Sequence, residues 1–136
     1  MHLTSQPGDA IVLAPKDGTA YSLDAPMQGY GINKLFPDIT GNPAFSMGMQ
    51  ILKPGAEIPE HHHDVQQDVL FCHTGKGTIF VSDKAYDFVP GTTVFTGNQH
   101  KHRIVNDGDQ ELTVLWFVLP AGLEKRLLAK GTETTL

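Results

Sequence analysis

Residues 54–68, PGAEIPEHHHDVQQD, hold three consecutive histidines that begin at His61. In an extended segment, residues i and i+2 point to the same face. His61 and His63 therefore share a face, and so do His100 and His102 further along the chain. A divalent metal requires three or four convergent donors, and imidazole suits Fe, Zn, Cu and Ni. The two histidine pairs predict one metal site built from two strands.

The rest of the chain has the pattern of many short strands. Glycine and proline recur about every eight to twelve residues, a spacing typical of an all-β sandwich or barrel. Turn signals such as Pro54-Gly55 and Asn106-Asp107-Gly108 agree with this, and the second of them favours a structural role for Asn106. The runs between turns, rich in β-branched and aromatic residues, are AIVLA (10–14), AFSMGMQIL (44–52), DVLFC (68–72), GTIFVS (77–82), TTVFT (92–96) and ELTVLWFVL (111–119).

One segment has a helical pattern. Residues 123–130, LEKRLLAK, precede Gly131, and a glycine at this position is a common helix stop. The first forty residues are broken by glycine and proline, which predicts irregular strands and loops that cover the barrel or pair with a neighbour.

Composition narrows the class of protein. The 136 residues fit one domain, 1–136, and the single cysteine, Cys72, excludes an intrachain disulfide and is expected in the core. A net charge of -5, with no basic cluster beyond HKHR at 100–103, argues against nucleic acid as the main partner. No basic start leads into an apolar run, and no run approaches ~20 apolar residues, so we expect no secretion signal, no membrane span and a cytoplasmic location.

Two spaced motifs organise the histidines. In the first, Gly55 is followed by five residues, His61-x-His63, four residues, Asp68, six residues and Gly75.

In the second motif, Gly91 is followed by five residues and then Gly97-Asn98-Gln99. His102 comes after two more residues and Asn106 after another three.

In these motifs the chain resembles the cupins, small antiparallel β-barrels that hold a metal in their mouth. The resemblance covers about residues 44–119. It implies an all-β jelly-roll barrel, or double-stranded β-helix, to which the sequence adds a short C-terminal helix. The chain departs from the family pattern at three positions: Asp68 replaces a glutamate, Gly97 a proline and Gln99 a glycine.

The resemblance implies one divalent metal, Fe, Zn, Ni or Mn, held by His61, His63, His102 and a fourth donor. Asp68 is shorter than the family's glutamate by about 1.5 Å, and Gln67 stands at the shorter of the two allowed spacings with an amide oxygen as donor. Strand parity separates the two candidates unless a bulge intervenes. Asp68 shares a face with Leu70 and Cys72, and Gln67 shares the other face with Val69 and Phe71. We favour Gln67, or no fourth protein ligand, over Asp68.

His100 is the candidate catalytic acid–base group, and Met47, Met49 and Trp116 are the candidate walls of the substrate pocket. These side chains, together with Phe71 and Phe95, favour a small and mostly apolar substrate. The chain has two arginines, Arg103 and Arg126, which disfavours a phosphosugar substrate.

The favoured function is a metal-dependent enzyme of the non-haem dioxygenase or oxidoreductase type. The alternatives are a non-redox lyase, isomerase or polyketide-cyclase-type cupin, and a non-catalytic module that binds a small ligand. If Gln67 points inward, Leu70 lies on the outer face and contributes to an apolar patch, which predicts a homodimer.

Overall fold

The computed structural model describes residues 10–62, 65–97 and 100–136. In these ranges the chain forms eleven strands and two helices. They are β1 (Thr19–Leu23), β2 (Gly29–Leu35), α1 (Pro37–Thr40), β3 (Ser46–Leu52), β4 (Glu57–His61), β5 (Gln67–Thr74), β6 (Gly77–Val81), β7 (Lys84–Phe88), β8 (Thr93–Gly97), β9 (His102–Val105), β10 (Leu112–Leu119), α2 (Leu123–Lys130) and β11 (Thr132–Thr134).

The strands form two antiparallel sheets. One has seven strands in the order β11-β1-β2-β3-β10-β5-β8, and the other has four in the order β4-β9-β6-β7. Side chains from both sheets meet in one core, where Cys72, Ile79, Ile104 and Val114 are buried. The all-β prediction and the core position of Cys72 are confirmed, and burial raises the pKa of the Cys72 thiol.

The predicted helix over 123–130 is confirmed at both ends. It lies against the barrel with Leu127 in the core. Asn33 Nδ2 donates to the carbonyl of Glu124 at 2.9 Å and ties the helix to β2. β11 then pairs with β1, so the chain on both sides of α2 is held by the larger sheet.

The expected strand over 10–14 is wrong, whereas the other five runs coincide with strands. Residues 10–14 are irregular, and Val12 is 91% exposed. The ammonium group of Lys34 on β2 contacts the end of this segment. It donates to the carbonyls of Ala14, Pro15 and Asp17 at 2.7–2.9 Å, so a buried cation organises the turn that follows residues 10–14.

Asn106 has the structural role that its turn predicted. It is fully buried, and its Nδ2 donates to the carbonyls of Leu52 and Gln110, both at 2.9 Å. Its Oδ1 accepts the N–H of Gly108 at 3.1 Å. These bonds fasten the loop after β9 to the end of β3.

Leu70 does not lie on the outer face from which a homodimer was predicted. It is buried in the core, so it adds nothing to an outer patch. Large apolar residues that are exposed on the outside of the larger sheet include Phe95, Phe117 and Leu119, which are 63%, 36% and 40% exposed.

A homodimer stays a prediction, and it now rests on this outer face. We expect sedimentation at twice the 14.8 kDa chain mass, and dissociation on Phe95→Ser. Tyr86→Ser is the matched control, because Tyr86 is 50% exposed on β7 of the smaller sheet. Wild-type protein that sediments as a monomer at micromolar concentration would refute the prediction.

No helix in the described ranges is both long enough and apolar enough to cross a membrane.

Candidate metal centre

The end of β4 and the start of β9 bring two of the predicted histidines together. The two strands pair antiparallel, with His61 directly opposite His102. Their ring centroids are 4.1 Å apart and the rings meet edge to face at 60°. His102 is 3% exposed, and His61 is half-buried.

Asp68 completes the cluster from β5 in the other sheet. Its side chain is 2% exposed, and its Oδ2 lies 3.2 Å from His102 Nε2. Each of His61, Asp68 and His102 offers one ligand atom, and these atoms all lie within 4.8 Å of one another. The cluster therefore joins both sheets at one point.

Backbone carbonyls orient the two imidazoles. His61 Nδ1 lies 2.8 Å from the carbonyl oxygen of Pro59, and His102 Nδ1 lies 3.1 Å from that of His100. A carbonyl oxygen only accepts, so each Nδ1 carries a proton, and in the neutral ring Nε2 then presents its lone pair. Histidine ligands of metals are held in this way by a partner at the second ring nitrogen.

This tautomer makes the cluster suitable for a cation. His102 Nε2 and the Asp68 carboxylate are both acceptors, and at 3.2 Å they repel unless a proton or a metal ion links them. Two ligand atoms about 2.1 Å from one metal, at right angles to each other, are about 3.0 Å apart. The donor set of two imidazoles and one carboxylate, buried at the wall of a cavity, fits a divalent metal.

Of the two candidates for the fourth ligand, the structure places Asp68, and not Gln67, beside the histidines. Asp68, Leu70 and Cys72 point inward, whereas Gln67 is exposed at the start of β5. The longer side chain of Gln67 favours it as a ligand, but strand parity directs that side chain to the outer face of the sheet, away from the histidines. His63 lies outside the described residues, as do Asn98 and Gln99 of the second motif.

A cavity of about 320 Å³ opens beside the cluster. Trp116 is part of its wall, and Leu70, Ile104 and Val114 make much of that wall apolar. The other lining residues are Met27, Gln50, Ile58, Pro59, Glu60, His61, His62, Asp68, His102, Leu123, Arg126, Leu127 and Lys130. The exposed His62 contributes to the lining without belonging to the cluster.

Trp116 can lie in this wall because its neighbour on β3 is Gly48. A Cβ at Gly48 would stand 2.5 Å from Cζ2 of the indole and 2.6 Å from the carbonyl oxygen of Ile32. Trp116 is 2% exposed, and its indole N–H meets no acceptor among the described residues.

Met47 and Met49 do not line the cavity, which corrects their predicted role. Burial alternates along β3, so that Ser46, Gly48 and Gln50 face inward and the two methionines face outward. Strand parity groups Gln50 with Ser46 and Gly48 but does not tell which face points inward. The contribution of α2 to the cavity likewise had no signal in the sequence beyond the helical pattern itself.

His100 is exposed and does not line the cavity, so its placement does not support a catalytic role. Its Nδ1 lies 3.3 Å from Ser82 Oγ, in the turn between β6 and β7. What His100 provides to the site is its backbone carbonyl, which orients the ring of His102.

An ion pair on the outer face fastens the two strands that carry the histidines. Arg103 on β9 donates to Glu57 on β4, with Nη2 and Oε2 separated by 2.8 Å. This hydrogen bond lowers the pKa of Glu57 below its usual value. The guanidinium also lies over the ring of Phe80, 5.2 Å from its centroid.

Comparison with known proteins agrees with the fold. The chain is 25% identical over 101 residues to Protein SchB from Streptomyces halstedii, which covers 74% of this chain and 73% of SchB. It is 23% identical over 99 residues to the Polyketide synthase CurC from Streptomyces cyaneus, covering 73% of this chain and 64% of CurC.

Among solved structures, a predicted oxalate decarboxylase from Thermotoga maritima superposes with a TM-score of 0.71 at 19% identity, covering 82% of this chain and all of the other. At that identity the likeness concerns the fold alone. The family model described as "Cupin domain" matches residues 48–118, more than half of the chain and the part that carries both histidine motifs. The chain belongs to the cupin family.

Proposed function

We propose that the chain is a metal-dependent enzyme that acts on a small, mostly apolar organic substrate. The convergence of His61, Asp68 and His102 at the wall of one cavity carries this proposal. A cluster with only a structural role would not need a cavity lined by Leu70, Ile104 and Trp116 beside it.

His61, Asp68 and His102 would hold one divalent metal ion. When bound, Fe(II) would supply dioxygen chemistry, since histidine and carboxylate donors are typical of non-haem iron oxygenases. His63 stays a predicted further ligand. The carbonyls of Pro59 and His100 keep both imidazoles in the ligating tautomer. The apolar wall excludes water and positions the substrate. The histidine and carboxylate donors make oxygenase-type oxidoreduction the favoured reaction class.

A second candidate is non-redox chemistry with Zn, Ni or Mn, as in a lyase, an isomerase or a polyketide-cyclase-type cupin. The similarity to CurC, which is named a polyketide synthase, favours it. In this case the metal would act as a Lewis acid that polarises a carbonyl oxygen. A cytoplasmic location stays a prediction with either reaction.

Metal content and oxygen uptake test the proposal together. Protein purified without a histidine tag is analysed by plasma mass spectrometry, then reconstituted separately with Fe(II), Zn, Ni and Mn. Each form is incubated with a panel of phenols, ketones and carboxylic acids, while an oxygen electrode and product analysis record turnover. We expect close to one metal per chain, and oxygen uptake in the iron form.

The outcomes separate the reaction classes. Turnover without oxygen uptake, in the zinc, nickel or manganese form, would support the second candidate. Absence of metal after reconstitution would overturn the proposal and favour a non-catalytic binding module.

A further inference from the structure

Helix α2 forms one side of the cavity and brings two kinds of side chain to it. Leu123 and Leu127 are one pair, and Arg126 and Lys130 are the other. The members of each pair are four residues apart, so they are neighbours on the helix surface. The helix therefore presents an apolar pair of side chains next to a basic pair.

The arginine is anchored. Arg126 Nη2 donates to Gln66 Oε1, and Gln66 Nε2 donates to the carbonyls of Pro120 and Ala121 at 3.0 and 3.1 Å. The amide of Gln66 thus connects the segment before β5 to the residues before α2. Because this link fixes the guanidinium in place, less conformational entropy is lost when it binds a further acceptor.

The acidic side chains that line the described part of the cavity are Asp68 and Glu60, and both lie on strands. Asp68 belongs to the metal cluster and faces His102. Glu60 is exposed near the end of β4. Among the described residues, α2 therefore forms the basic side of the cavity. The small number of arginines disfavours a phosphosugar substrate, but the fold brings Arg126 to the cavity together with Lys130.

We propose that the cavity takes an amphipathic organic anion, with its apolar body against Leu70, Ile104 and Leu127 and its charged oxygens on Arg126 and Lys130. The proposal rests on the proposed function for the use of this cavity and adds the class of substrate to it. A guanidinium and an ammonium both make charge-assisted hydrogen bonds to carboxylate or phosphate oxygens. The metal cluster lies on a different part of the wall, so the reacting part of the substrate and its charged group are separate.

Calorimetric titration with matched probes tests this. The probes are 2-naphthoate, 2-naphthyl phosphate and the neutral 2-naphthamide, titrated into the metal-loaded protein. We expect the anions to bind about tenfold more tightly than the amide. The double variant Arg126→Gln/Lys130→Gln is expected to lose this preference. Lys125→Gln is the control on the same helix, because Lys125 is exposed and does not line the cavity.

Equal binding of naphthoate and naphthamide to the wild type would overturn the proposal, and so would an unchanged preference in the double variant. Tighter binding of one of the two anions would identify the charged group as carboxylate or phosphate, and either result supports an organic anion. The altered side chains are exposed, and thermal melting followed by circular dichroism verifies that each variant is folded.

His61→Ala separates this proposal from the metal centre. If His61→Ala still binds anions more tightly than the amide and the double variant does not, the charged group binds to α2 independently of the metal. A preference that disappears in His61→Ala but survives in the double variant shows that the metal takes the anion, which overturns the proposal and leaves the proposed function standing.

Discussion

His102→Ala is expected to lower the affinity for metal by more than about 100-fold, since loss of an outer-shell partner alone costs about 10–100-fold. The substitution removes the imidazole that faces both His61 and Asp68. Metal per chain, measured by plasma mass spectrometry after dialysis, should fall from close to one to near zero. Any metal-dependent turnover should fall with it.

His73→Ala is the matched control for this experiment. His73 is exposed near the end of β5 and does not line the cavity. It should keep the metal content of the wild type. If His102→Ala retained stoichiometric metal while His73→Ala lost it, the metal would lie elsewhere. Circular dichroism would show whether the loss of the buried ring has also unfolded the barrel.

Asp68→Asn is expected to weaken metal binding by about 10-fold to 100-fold, whereas Gln67→Ala should leave it unchanged. Asparagine keeps the size of the side chain and removes the charge that the cation requires. The carboxylate is buried and directed at His102 Nε2, and Gln67 is exposed. Competition with a fluorescent chelator measures both affinities under the same conditions.

The two variants together identify the fourth ligand, whichever of them loses metal. Loss of metal in Gln67→Ala with normal binding in Asp68→Asn would restore the amide as the ligand and refute the placement of Asp68. Similar losses in both variants would indicate that the start of β5 contributes to the site through its backbone conformation.

Much of the fold follows from local patterns. Turn residues at short intervals predicted an all-β sandwich or barrel, and five of the six apolar runs are strands. Gly131 ends α2 as predicted, since a helix boundary depends on neighbouring residues. Residues 10–14 are irregular instead, and the ammonium of Lys34 on β2, distant in sequence, holds the carbonyl of Ala14 at their end.

The histidine pairs show what residue spacing along the chain can and cannot predict about the site. Their i, i+2 separation and the two motifs indicated which residues approach a metal, and β4 and β9 do place His61 opposite His102. His100 was predicted to be a catalytic acid–base group, but its position supports only the role of its backbone carbonyl, which orients the ring of His102. A spacing of two suggests a shared face only where the segment is a strand, and β9 begins at His102, so His100 precedes it.

Periodicity and turn chemistry along the chain indicated an all-β protein, and the spacing of the two histidine motifs carried the resemblance to the cupins. Which face of each strand points inward follows only from contacts between the sheets. β5 carries apolar residues on both faces, Leu70 on one and Phe71 on the other, so alternation alone could not choose between Asp68 and Gln67, and the same ambiguity misplaced Met47 and Met49. The packing of one sheet against the other settles this choice, and the docking of α2 brings Arg126 and Lys130 to the cavity, because both depend on contacts between residues distant in sequence.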